Sequence, residues 1–137
     1  MPIATALILA GLLSGKDALA LEPDWKAVAT ASTGAVYYMH KHFGEPKAEV
    51  HPKAWIIGDY RRDATEKYRS DKTFIEFQCD RNTYQILESI RYSANGAVQS
   101  VEGAVPSANV PPKTVAEEWY WEACMPYVID QASDFTR

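Results

Sequence analysis

Few residues in this sequence could do chemistry: two cysteines, three histidines and a group of glutamates near the C-terminus. His40 and His42 are two positions apart, which in a strand puts both on one face, where zinc or copper could use them. The third histidine is His51, and the nearest carboxylate to the pair is Glu45, beyond Phe43 and Gly44. A metal site needs three or four converging ligands, so no metal is expected. Glu117, Glu118 and Glu122 invite comparison with the carboxyl pair of a glycosidase, in which one acid must be desolvated. They fall instead on the solvated side of a predicted helix, close to its N-terminus, where the macrodipole accounts for them. No serine stands in a glycine-framed elbow, and no phosphate-binding loop occurs. The expectation is a protein that is not an enzyme, with no catalytic residue and no cofactor.

The cysteines have a simpler use. Ile3 to Leu13 is an almost unbroken apolar run, too short to span a bilayer, and Ala18-Leu19-Ala20 supplies the small-x-small pattern that signal peptidase cuts after. Residues 1–20 therefore read as a signal peptide and 21–137 as one exported domain. Leu12-Leu13-Ser14-Gly15 resembles the left half of a lipobox, but Lys16 stands where the lipid-bearing cysteine would be, so no membrane anchor is expected. In an oxidising compartment Cys79 and Cys124 are expected to form a disulfide; a metal pair or a nucleophile are the alternatives, and the wide separation carries the signature of neither.

The elements that would position these residues are mostly strands. Past Pro23, β-branched and aromatic residues alternate in short runs, predicting strands over Trp25 to Ala31, Ala35 to His40, Ala54 to Arg61, Lys72 to Asp80, Thr83 to Ser93 and Ala97 to Val101. In the fourth, Ile75, Phe77 and Cys79 share a face opposite Glu76 and Gln78. In the fifth, Tyr84, Ile86, Ile90 and Tyr92 are expected on one face, interrupted by Glu88. Asn95-Gly96 predicts a type I′ hairpin. Glu102 to Lys113 reads as a loop. Thr114 caps a helix over Val115 to Met125, with Pro126 as its stop and a frayed tail from Gln131. The helical wheel collects Val115, Ala116, Trp119, Tyr120, Ala123 and Cys124 on one half and leaves Trp121 among the three glutamates. The fold class expected is α+β, a mainly antiparallel sheet of about six strands with a C-terminal helix packed on one face and tied by the disulfide.

Composition restricts the partner. Without residues 1–20 the chain carries 13 basic and 17 acidic residues, so the net charge stays at −4. That argues against nucleic acid and against general adhesion to anionic lipid. Arg61, Arg62, Lys67 and Arg69 are interleaved with Asp59, Asp63 and Glu66, so their field cancels. Trp121, set in a charged rim, is the candidate interface anchor. Tyr37 and Tyr38 face opposite ways in their strand, so one of them lies on the outer side of the sheet.

Landmarks run in order through Trp25, Gly34-Ala35-Val36-Tyr37-Tyr38-Met39, Trp55, Tyr68-Arg69-Ser70, Glu76-Phe77-Gln78-Cys79-Asp80-Arg81, Tyr84, Tyr92-Ser93-Ala94-Asn95-Gly96, Val110-Pro111 and Cys124. In this order the sequence resembles the surface-adhesin protein E family. The resemblance implies an antiparallel sheet with a disulfide-tethered helix, periplasmic or surface placement, and binding to a protein or extracellular-matrix partner. The expected function is a non-catalytic binding module of the bacterial envelope, periplasmic or secreted. The alternatives are a small periplasmic assembly protein that self-associates as a homodimer, or an enzyme with an unrecognised site.

Overall fold

The computed structural model describes residues 24–41 and 49–135. The expected signal peptide and its cleavage point, and His42 and Glu45, lie outside the described residues. Among the described residues, seven strands and one helix follow one another: β1 (Lys26–Thr30), β2 (Val36–Lys41), β3 (Lys53–Asp59), β4 (Ser70–Gln78), β5 (Thr83–Tyr92), β6 (Val98–Glu102), β7 (Ala108–Asn109) and α1 (Val115–Phe135). Short links force antiparallel neighbours, and the sheet is a meander in the order β1-β2-β3-β4-β5-β6, with β7 pairing the other end of β5.

Helix α1 lies on one face of this sheet. Alternation in β2, β3 and β4 sends Met39, Ala54, Ile56, Ile75 and Phe77 toward it, and they close over Val110, Tyr120, Ala123 and Cys124. Ile75, Phe77 and Cys124 are fully buried. Cys79 and Cys124 are bonded, with Cα atoms 5.5 Å apart. The Tyr120 hydroxyl donates to the Cys79 carbonyl at 2.9 Å, a second tie beside the first. Thr114 caps the helix as expected: its hydroxyl oxygen accepts from the Glu117 N–H at 3.3 Å.

Four expectations are corrected. The helix does not stop at Pro126 but runs ten residues past Met125, to Phe135, taking in much of the tail expected to fray. Pro126 removes the N–H that would bond the Glu122 carbonyl and crowds that carbonyl with its ring, yet the helix continues through it. In β5 the residues do not keep one face. Ile75 pairs with Ile86 but Phe74 pairs with Glu88, which leaves Leu87 with no opposite residue, a bulge. The bulge reverses the phase, so Tyr84 and Ile86 face the helix while Glu88, Ile90 and Tyr92 face away. The hairpin at Asn95-Gly96 is not type I′, since only Gly96 has positive φ, at 85°. Gly96 N–H bonds the Ser93 carbonyl and Ser93 N–H the Ala97 carbonyl, a three-residue loop ending in a left-handed glycine. Finally, the predicted loop contains β7.

At Gly58 on β3, a Cβ would stand 2.6 Å from the Tyr60 hydroxyl and 2.7 Å from Asp71 Oδ1. Neither can retreat easily, because Tyr60 is buried and Asp71 is bonded to the Gly58 N–H. Gly58→Ala is expected to cost about 1–3 kcal/mol, as overpacking does, read as a lower urea midpoint with unchanged m-value; a midpoint equal to wild type would show that this corner yields.

Candidate functional site

The candidate residues are distributed over the two sheet faces and the helix. His40 is on the face of β2 away from the helix, its ring 5.2 Å from that of Trp25. His51 bonds Asp80 at 3.0 Å. Among the described residues no group of three or more His, Cys, Asp or Glu is placed to hold a metal. Glu118 is exposed and Glu122 bonds the Lys26 ammonium at 2.8 Å, so neither is enclosed with a second acid.

On the helix side, Tyr37 sits beneath α1, its ring 5.1 Å from Trp119 and 6.0 Å from Tyr60, which is in turn 5.2 Å from Tyr68. Trp119 packs against the core, and its indole N–H is buried with no hydrogen-bond partner among the described residues. At the end of this aromatic row is Asp71. Oδ2 accepts from the Tyr60 hydroxyl at 2.8 Å and Oδ1 from the Gly58 N–H at 3.1 Å. Burial raises the Asp71 pKa, against the lowering effect of those two bonds. Burial likewise raises that of Tyr60, helped by the Asp71 charge. Nearby, a cleft of about 370 Å³ is lined by Tyr60, Tyr68, Asp63, Glu66, Lys67 and Arg69. Its charges are mixed, and Arg61 beside it forks onto Asp59 at 2.6–3.1 Å. Despite a desolvation cost, that pairing holds the Asp59 carboxyl below the usual range.

On the opposite face, Tyr38 pairs with Ile57 and His40 with Trp55. Trp55 stacks on Phe74 at 4.7 Å, and the Lys72 ammonium lies 4.9 Å from the Trp55 ring and 5.8 Å from that of Trp25. Sequence reasoning missed this aromatic and cationic platform. Its signal was β3 itself, in which Trp55 and Ile57 are as apolar as Ala54 and Ile56, a pattern of strands with two faces to cover. Of Tyr37 and Tyr38, the outer one is Tyr38.

Trp121 is on α1, away from the sheet and 45% exposed, touching Tyr120 edge-on at 5.7 Å. Met125 and Ile129, one and two turns further along, are 44% and 58% exposed.

These features define a disulfide-stapled sheet-and-helix domain whose unusual chemistry is apolar and aromatic. Residues 25–125 match the family described as surface-adhesin protein E, and the chain belongs to that family. No curated protein and no solved structure matches it. Among the described residues no helix is long and apolar enough to cross a membrane.

Asp71 gives a test of the buried row. With its folded pKa above the unfolded one, the neutral acid is the form the fold favours. Its contribution is complete below about pH 4 and is lost as the pH rises through the folded value. The stability of wild type relative to Asp71→Asn is therefore expected to fall between acidic and neutral pH in urea titrations; a difference independent of pH would mean that Asp71 ionises normally in the fold.

Proposed function

We propose that the chain is a non-catalytic binding module of the bacterial envelope, exported by residues 1–20, folded as one domain over 21–137, and periplasmic or secreted. It engages a protein or extracellular-matrix partner through exposed aromatic positions. The observation that carries this reading is Trp121, held 45% exposed on a helix whose other side is fixed to the sheet. A large rigid aromatic on a fixed scaffold gains contact area at little entropic cost, which is why tryptophan recurs in interface centres. Membership of an adhesin family supports the same reading. Tyr38 adds a second, half-buried aromatic on the outer sheet face, whereas Tyr37 acts from beneath by supporting Trp119. Self-association through the sheet, as in a periplasmic assembly protein, has one observation in its favour: Val98 and Val101 of edge strand β6 are each 60% exposed.

Trp119 and Trp121 separate stability from binding. Trp119→Ala, which removes a half-buried indole packed on the core, is expected to cost up to about 3 kcal/mol, while Trp121→Ala stays within about 0.5 kcal/mol of wild type. On decellularised extracellular matrix, Trp121→Ala should bind about thirtyfold more weakly, the loss of a typical interface tryptophan at about 2 kcal/mol. Wild type that does not bind matrix saturably, or a stable Trp121→Ala that binds as well, would overturn the reading.

A further inference from the structure

The outward side of α1 is more specific than a single exposed tryptophan. Ala116, Tyr120, Ala123 and Cys124 are buried on the sheet, with Trp119 and Tyr127 packed beside them. At 100° per residue, Trp121, Met125 and Ile129 fall within an arc of about 80° on the opposite side, and the exposed Ala132 falls within it too. They form a ridge at i, i+4 and i+8, rising about 12 Å along the axis. A helix with apolar residues on both sides is ordinarily covered on both.

The charges that the helix itself carries beside the ridge are acidic, and among the described residues the one cation against them is Lys26 of β1, paired with Glu122 at 2.8 Å. Glu117 and Glu118 stand at the N-terminal end of the ridge and Glu122 flanks it. The helix contains no lysine or arginine, and its last turn has no basic residue to offset the carbonyl end of the dipole. A second copy laid parallel on this ridge would bring Glu117 and Glu118 against the same residues of its partner. An anionic membrane is opposed by the same charges, since helices that lie on such surfaces carry Lys and Arg on their polar face.

We propose that Trp121, Met125 and Ile129 form a docking ridge for a cationic amphipathic helix of another protein, whose apolar stripe packs on the ridge and whose lysines or arginines meet Glu117 and Glu118. The spacing is that of one helix laid along another, in which rows four residues apart interdigitate. This rests on the binding-module reading above and adds to it the chemistry of the partner.

The test uses the oxidised full chain and two synthetic peptides of about 18 residues, five helical turns, one alternating Leu and Lys at helical spacing and the other Leu and Glu. Calorimetry should show saturable one-to-one binding of the Leu/Lys peptide, weakened by salt, and none of the Leu/Glu peptide. Ile129→Asp should weaken it about tenfold or more although it adds negative charge, because the contact it removes is apolar. Met125→Ser serves the same purpose should Ile129→Asp not fold. Undiminished binding by a folded ridge variant, equal binding of both peptides, ridge-dependent dimerisation in sedimentation, or preference for phosphatidylglycerol vesicles would each overturn the proposal. Matrix binding that depends on Trp121 while the Leu/Lys peptide is ignored would sink the partner chemistry alone; peptide binding without matrix binding would sink only the matrix reading.

Discussion

Cys79 follows directly on the end of β4 and Cys124 lies near the middle of α1, and the bond between them makes the helix part of the sheet. It spans 45 residues of sequence, a loop whose closure removes about 4 kcal/mol of unfolded-state freedom in the chain-entropy account. For a domain of this size that is a large fraction of a total stability of about 5–15 kcal/mol. The bond also fixes rotation. With Cys124 turned onto Cys79, and Tyr120 hydrogen-bonded to the carbonyl of the same cysteine, the direction of Trp121, Met125 and Ile129 is determined, and it is away from the sheet.

One helix cannot cover this sheet. Six strands about 4.8 Å apart span roughly 25 Å, and a helix with its side chains is about 10–12 Å wide. What it leaves uncovered on its own face is occupied by Tyr60 and Tyr68, which continue the aromatic row from Tyr37 beneath the helix, and by the buried Asp71 corner. On the other face the sheet covers itself, with Trp55 laid on Phe74 and Lys72 over the indoles. The bulge at Leu87 belongs to the same economy: by reversing the phase of β5 it sends Ile90 and Tyr92 to the outer face and lets Arg91 reach Glu102 and the Tyr68 ring on the inner one.

The parts of this arrangement legible in the sequence were those carried by local rules. Period two in Ile75, Phe77 and Cys79 placed the cysteine inward, the wheel placed Cys124 toward it and Trp121 away from it, and Thr114 marked the helix start. The faces of β5 were misread because a bulge is a mismatch between two strands and leaves no mark on one of them. Pro126 was misread because one lost hydrogen bond and one crowded carbonyl weigh less than the helical residues on either side. The platform of Trp25, Trp55 and Lys72 needs three strands in register, so it could not be read from any one of them. Of the proposed ridge, the sequence offered Trp121 alone; Met125 was the last residue of the expected helix, and Ile129 joined it only with the helix continuing past the proline.

The central claim is that the disulfide holds α1 on the sheet and so presents its outer side as a fixed surface. Amide hydrogen exchange on oxidised and reduced protein tests it most directly. The account predicts that reduction lowers protection in α1, by up to about a thousandfold for 4 kcal/mol, while β2, β3 and β4 lose much less. Helix protection that survives reduction unchanged would contradict it, because the helix would then be held by packing alone.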